Sequence, residues 1–166
     1  MTEKMKKLLE EFALAIREHL KINGNFEVKA IIEDIGGIIK YDSFVSEFEP
    51  LLIKRGEKFT LFVRPTLSSE RENYILLLKL SEMILYAGLL TYNELWINTD
   101  ISKCKETQEA RWLTEALLMP YPLFKKVLDD NVDANNLINT KNIAKYFNVP
   151  TSVARSRGVN LGYIKE

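Results

Sequence analysis

The sequence predicts an α+β fold, in which a small antiparallel sheet packs on a central buried helix and a C-terminal helical annex follows. Two observations predict this class. Apolar residues recur every three or four positions through residues 3–35 and again beyond residue 70, which is typical of amphipathic helices. Between residues 44 and 65 the apolar period changes toward two, which is typical of strands, and we expect about three of them.

The composition is that of an ordinary globular domain, with 46% hydrophobic and 28% charged residues among 166. Its 23 basic residues balance 23 acidic ones, so no overall field favours nucleic acid or an anionic membrane. The single cysteine, Cys104, excludes an internal disulfide and fits a reducing compartment, so we expect a cytoplasmic protein. Mixed charges make the N-terminus unlike a signal peptide. The longest apolar run, Tyr74 to Leu90, contains charged residues and predicts a buried helix rather than a membrane span.

The first third of the chain predicts two helices and a strand. Residues 3–21 form the first helix, whose inner stripe is predicted to be Leu8, Leu9, Phe12, Ile16 and Leu20. Residues 26–35 form a shorter helix, whose inner face is predicted to be Val28, Ile31, Ile32 and Ile35. Gly36 and Gly37 end this helix, because glycine tolerates the left-handed cap conformation. Residues 38–41 then predict a strand.

Two further strands and the longest helix follow. Residues 51–55 and 58–63 flank Gly56-Glu57, which suits a hairpin turn, and Pro65 ends the second strand. Ser69 and Glu72 fit a capping box, in which a serine caps the helix and a glutamate three residues later reaches back. The helix that they open is predicted to run from about 70 to 87 and to end at Gly88. Residues 88–104 have no clear pattern.

The C-terminal half predicts four more helices. The first, at 109–120, ends at Pro120, because the residue before a proline disfavours the helical conformation. Shorter helices are expected at 123–128, 140–147 and 151–157, with an acidic, asparagine-rich surface connection at 129–136. The predicted organisation is therefore an N-terminal helix at 1–25, a core at 26–130 and a helical annex at 131–166.

Several segments resemble one known family. Residues 109–120 read E-A-R-W-L-T-E-A-L-L-M-P. This string resembles the E-A-N-x-F-A-x-x-L-L-M-P signature of the ImmA/IrrE family of zinc metallopeptidases. Downstream, residues 143–157 are similar to the family's L-A-x-x-F-x-V-S-x-x-A-V-x-x-R segment, and residues 161–164 resemble its closing L-G-L-I. The resemblance runs from about residue 26 to the end and implies a zincin-like metallopeptidase core with a helical annex.

The catalytic motif of that family is changed in this sequence. In the family, H-E-L-G-H on the long buried helix supplies two zinc-binding histidines and a glutamate general base. The matching positions here are Leu78, Lys79 and Glu82, and the family's third, acidic ligand corresponds to Glu109. The only histidine in the sequence is His19, on the N-terminal helix, so a two-histidine site cannot be assembled. We predict no zinc, no other cofactor and no peptidase activity.

The substituted positions predict a charge cluster. Lys79 and Glu82 are three residues apart on a helix, so their side chains can pair. One interpretation is a salt bridge at the edge of the core, and another places Lys79 between Glu82 and Glu109 in the former zinc pocket. Because buried charges are costly unless paired, we predict that the Lys79 ammonium lies within salt-bridge distance of Glu109 or Glu82. His19 is predicted to face solvent, and Cys104 to be an ordinary small residue rather than a nucleophile.

A separate interpretation concerns the C-terminal helices. Residues 143–157 fit a helix-turn-helix, with 148–150 as the turn and 151–157 as the reading helix. The candidate phosphate contacts are Lys141, Lys145, Arg155 and Arg157. The resemblance instead assigns this segment to an annex packed on the peptidase core, and the zero net charge favours that assignment.

Three functions from different classes follow. Members of the resembled family act on transcriptional repressors, so the first is an inactive member that binds a helix-turn-helix repressor of a mobile element or stress response. The second is a DNA-binding regulator that uses residues 141–157. The third, an enzyme using Lys79, is disfavoured, because neighbouring carboxylates stabilise the protonated ammonium. The sequence predicts neither the identity of the partner nor the oligomeric state.

Overall fold

The computed structural model describes residues 1–46, 50–55, 58–90, 107–133 and 137–165. The elements in these ranges are α1 (Glu3–His19), α2 (Val28–Asp34), β1 (Gly37–Tyr41), β2 (Leu51–Arg55), β3 (Lys58–Val63), α3 (Ser69–Leu90), α4 (Gln108–Leu118), α5 (Tyr121–Asp129), α6 (Thr140–Phe147) and α7 (Thr151–Asn160). The predicted α+β class is confirmed, with a helix or strand at each position where one was predicted. The turn at 56–57, the stretch 91–104 and Cys104 lie outside the described residues.

Two compact units make up the chain. The central unit is Glu27–Arg111, and the terminal unit combines Met1–Phe26 with Trp112–Glu166. The division expected from sequence, at 1–25, 26–130 and 131–166, put the N-terminal helix and the C-terminal annex in separate segments. Both of these segments lie in the terminal unit.

The sheet of the central unit is mixed rather than wholly antiparallel. Its strand order is β1-β3-β2. β2 and β3 pair antiparallel, as the hairpin pattern predicts, with Leu52 opposite Leu61. β1 pairs parallel to β3, with Ile39 opposite Leu61, which corrects the expectation of an antiparallel sheet. The reason is the strand order: β1 lies beside the second arm of the hairpin, and that arm runs in the same direction as β1.

Two glycines after α2 allow a sharp turn into β1 and a close approach of the backbone to neighbouring side chains. Gly36 has a φ of +84°, the left-handed conformation that ends the helix. A Cβ on Gly37 would lie 2.5 Å from the Phe59 ring and 2.6 Å from the Ile32 side chain. Ile35, predicted to face inward, is 42% exposed. The inner face of α2 therefore ends at Ile32, one turn earlier than predicted.

The long helix α3 begins and ends at different residues from those predicted. Ser68, not Ser69, caps it, since the Arg71 N–H donates to the Ser68 hydroxyl over 3.3 Å. Glu72 does not serve as the predicted cap partner; it accepts a hydrogen bond from the Tyr41 hydroxyl and forms a 2.8 Å ion pair with Lys29. The helix continues through position 88 to Leu90. No helix in the described ranges is long and apolar enough to cross a membrane.

Glu72 connects three elements of the central unit. It lies on α3, while Lys29 lies on α2 and Tyr41 on β1. The hydrogen bond to Glu72 raises the pKa of Lys29, and partial burial of the ammonium opposes that rise. The charged pair therefore holds the N-terminal turns of α3 beside α2 and the end of β1.

The buried face of α1 differs from the predicted stripe. Leu9, Ala13 and Arg17 are buried, whereas Leu8 is 57% exposed and Phe12 is 40% exposed. The reason is Arg17, whose guanidinium donates to the Leu117 carbonyl over 2.6 Å and also to the Gly24 carbonyl. Because that guanidinium turns inward, the centre of the buried face lies about 70° around the helix from the centre of the predicted apolar stripe. Burial lowers the pKa of Arg17.

The C-terminal helices of the terminal unit are held by Arg157, which is fully buried on α7. Both Nη atoms of Arg157 donate to the Glu10 carboxylate, over 2.6 and 2.8 Å. Its Nε donates to the Met119 carbonyl over 3.1 Å, and its guanidinium lies 5.8 Å from the centre of the Trp112 ring. One side chain therefore connects α7 to α1 and to the end of α4.

The buried Arg157 generates a stability prediction. Arg157→Ala removes the two N–H groups that donate to Glu10 and the one that donates to the Met119 carbonyl. We expect the free energy of unfolding to fall by an amount toward the lower end of about 3–5 kcal/mol, because Glu10 stays partly exposed. Urea denaturation measures the change. Arg155→Ala, on the exposed side of the same helix, is the matched control and should change stability by less than about 0.5 kcal/mol. Equal unfolding midpoints for the two variants would contradict this role of Arg157.

Candidate functional site

The candidate site lies in the middle of α3, at the positions that correspond to the zinc motif of the resembled family. Leu78, Lys79 and Glu82 are 7%, 3% and 6% exposed. The helical period brings Lys79 and Glu82 to the same face, since residues three apart are neighbours on a helix. Ser81, between them in sequence, is fully buried. The site therefore consists of two opposite charges that are buried on the same face of α3.

The two charges form a direct ion pair. The Lys79 Nζ donates to the Glu82 Oε2 over 2.6 Å, and the side chains are only 4% and 5% exposed. This contact was one of the two predicted for Lys79. A buried ammonium or carboxylate without a partner carries a desolvation cost of several kcal/mol, so each residue here compensates the other.

Glu109, the second predicted partner of Lys79, lies on α4 rather than on α3. It occupies the first turn of α4 and is half-buried. Among the described residues no ion pair joins Glu109 to Lys79, so of the two contacts predicted for Lys79 the structure shows the one with Glu82. A carboxylate in the first turn of a helix interacts favourably with the helix dipole, which gives Glu109 a stabilising role that needs no metal.

The donor atoms at this site do not fit zinc. Leu78 offers no ligand atom, and the ammonium of Lys79 is a cation that repels another cation. The Glu82 carboxylate is already bound to that ammonium. His19 is exposed on α1, in the terminal unit. Over the described part of the chain, no group of three His, Cys, Asp or Glu side chains is arranged to hold a metal ion.

The candidate nucleic-acid contacts divide into two kinds. Lys141 and Lys145 on α6 and Arg155 on α7 are exposed. Arg157 is fully buried and bonded to Glu10, so it cannot contact a phosphate, which corrects that part of the prediction. The turn between the helices has Asn148 in the left-handed conformation, with a φ of 52°, as a tight helix-to-helix connection requires. Three of the four basic residues therefore stay candidates.

Two acidic residues of the terminal unit form buried or partly buried contacts that the sequence did not predict. Glu10 is the partner of Arg157. Glu115, inside the signature helix, is 4% exposed and accepts hydrogen bonds from the Ser156 hydroxyl and the Asn160 amide, each over 3.1 Å. No local signal identifies either residue, because their partners lie far away along the chain. Both contacts connect α7 to earlier helices.

The helices and the three-stranded sheet define a small α+β protein, and the long helix α3 carries the candidate site. The sequence model of one family, the IrrE N-terminal-like domain, matches residues 39–157. This range starts in β1, ends in α7 and includes all of α3. The chain belongs to this peptidase family, which confirms the resemblance found in its motifs. No curated protein matches the chain.

The buried pair generates a second stability prediction. Lys79→Met leaves Glu82 buried without its cation, and we expect this to lower the free energy of unfolding by about 3–5 kcal/mol. Adding Glu82→Leu removes the carboxylate that had lost the Lys79 ammonium, so the double variant should recover part of the loss. Urea denaturation of the parent, both single variants and the double variant measures the coupling.

The control for that cycle is an exposed pair. Lys125 and Asp129 form an ion pair on α5 with side chains 40% and 54% exposed, so Lys125→Met should cost about 0–1 kcal/mol. If Lys79→Met costs no more than Lys125→Met, or if the double variant is as unstable as the sum of its singles, the structural role of the Lys79–Glu82 pair is wrong.

Proposed function

We propose that this chain is a non-hydrolytic member of the IrrE N-terminal-like family that acts by binding a partner protein. The observation that carries this proposal is the buried Lys79–Glu82 ion pair at the positions resembling the family's zinc-binding motif. A zinc peptidase needs neutral or anionic ligands and a general base at these positions. A leucine, a lysine and a paired glutamate supply neither function.

A different chemistry at the same place is not supported either. A lysine acts as a nucleophile or base only when its amine is neutral. The Glu82 carboxylate, 2.6 Å from the Lys79 Nζ, stabilises the charged ammonium instead. The pair is also almost fully buried, which leaves little access for a substrate. The arrangement is therefore structural, and it supports a protein that keeps the peptidase fold for binding.

The proposed partner is a helix-turn-helix transcriptional repressor. Family members that this chain resembles act on such repressors, and a member without the zinc centre would retain the fold while losing cleavage. Binding alone is enough to regulate a repressor, since a bound protein can displace it from DNA or shield it from an active peptidase. We infer a role in the control of a mobile element or a stress response.

The alternative function is DNA binding through α6 and α7. Three exposed basic residues, Lys141, Lys145 and Arg155, support it. The burial of Arg157 removes one of the four candidate contacts, and the balanced charge of the chain supplies no wider field to attract phosphates. Protein binding is therefore the better supported of the two functions.

The first test concerns zinc. Parent protein purified without chelator should contain far less than one zinc per chain by elemental analysis. Leu78→His, Lys79→Glu and Glu82→His together restore the motif on α3 and should raise the zinc content toward one per chain, because Glu109 remains as an acidic candidate ligand. One zinc per chain in the parent would overturn the proposal of a non-hydrolytic centre.

The second test separates the two functions. A tagged chain expressed in its native host should co-purify with a DNA-binding protein identified by mass spectrometry, and the complex should form again from the two purified components. In a gel-shift assay on the partner's operator DNA, the chain alone should give no shifted band. A shift that is lost in the Lys145→Glu variant, with no protein complex formed, would favour the DNA-binding function instead.

A further inference from the structure

Helix α1 has an exposed apolar stripe that the terminal unit does not bury. The α1 stripe consists of Met5, Leu8 and Phe12, which are 39%, 57% and 40% exposed. Their spacing of three and four residues puts them on one side of the helix, as in the seam of a helix pair. A continuous exposed apolar stripe on a surface helix indicates an interaction site.

The α1 stripe is separate from the buried face of the same helix. Leu9, Ala13 and Arg17 form that buried face, and Leu9 is about 100° around the helix from Leu8. Leu14 is also exposed, at 42%, but it lies about 120° from Leu8 on another side. The helix therefore presents two apolar surfaces, one for its own unit and one for another helix.

We propose that the α1 stripe binds the α1 stripe of a second copy of this chain, with the two helices antiparallel. In this arrangement Met5 packs beside Leu8 of the second copy, and the two-fold axis repeats that contact. The argument for a second copy rests on the charges beside the stripe. Lys4 and Glu11 lie on its solvent-facing flank, each immediately before an apolar stripe residue, and both are exposed.

The antiparallel register brings these opposite charges together. When Met5 packs beside Leu8 of the second copy, Lys4 of each copy lies across from Glu11 of the other, so the dimer contains two such pairs. In a parallel pair in register, the same residues would be about 10 Å apart along the axis, since seven residues separate them. Glu11 is also 3.9 Å from Lys7 on its own helix, and that exposed pair is weak enough to be replaced.

The size of the stripe sets the expected strength of this dimer. From Met5 to Phe12 the stripe is about 10 Å long, so the interface falls below the roughly 1,200 Å² of standard stable complexes. We therefore expect a weak, reversible dimer whose population rises with protein concentration and falls with salt.

Sedimentation equilibrium of the full chain over about 10 μM to 1 mM at low salt tests the proposal. The parent should self-associate to a dimer. Leu8→Gln should raise the dissociation constant at least about tenfold, while Leu14→Gln, the matched exposed leucine on α1, should leave it unchanged. A parent that stays monomeric up to about 1 mM would overturn the proposal and leave the stripe to a different partner.

A charge exchange tests the orientation. Lys4→Glu and Glu11→Lys should each raise the dissociation constant about three- to tenfold, because each places like charges across the axis. The double variant restores opposite charges and should return within about twofold of the parent. A double variant weaker than either single variant, or a Leu14→Gln effect equal to that of Leu8→Gln, would contradict the antiparallel pairing through the α1 stripe.

Discussion

A buried cationic side chain needs a hydrogen-bond acceptor beside it, and this constraint determines much of the structure. Three cations are buried among the described residues: Arg17, Lys79 and Arg157. Arg17 donates to backbone carbonyls, Lys79 to a carboxylate on its own helix, and Arg157 to a carboxylate and a carbonyl. Leaving any of them unsatisfied costs several kcal/mol, so Arg17 and Arg157 set the positions of the segments that bear their acceptors, while Lys79 is satisfied within α3. The helices of the terminal unit are thus arranged around two arginines.

The same constraint explains what occupies the centre of α3. A metal site assembles ligands from separate helices around one ion, whereas the Lys79–Glu82 pair lies within a single helix. Glu109 is accordingly half-buried in the first turn of α4, where water and the helix dipole stabilise it. The family fold is retained, and the Lys79 ammonium and the Glu82 carboxylate on α3 compensate each other.

Local patterns predicted the elements well and their packing less well. The period of the apolar residues located α2, α3 and the β2–β3 hairpin, because backbone hydrogen bonds and turn residues act over a few positions. The same period assigned Leu8 and Phe12 to the core, although both are exposed. A polar residue that finds acceptors, Arg17, displaced them, and no apolar pattern includes such a residue. The predicted cap at Ser69 differed by one residue from the observed Ser68, because Glu72, the expected partner of a Ser69 cap, is bonded to Tyr41 and Lys29 instead.

The sequence by itself determined that the chain has one histidine, too few for a site of two, because a residue that the chain does not contain cannot be supplied by folding. It also determined the α+β class and the family, through periods and motifs that are local. Only the tertiary structure decided that β1 runs parallel to β3, that Lys79 pairs with Glu82 rather than Glu109, and that Arg157 is bound to Glu10. The physical reason is the distance over which these interactions act. Hydrogen bonds and ion pairs act over about 3–4 Å in space, whereas Glu10 and Arg157 are 147 residues apart in the chain.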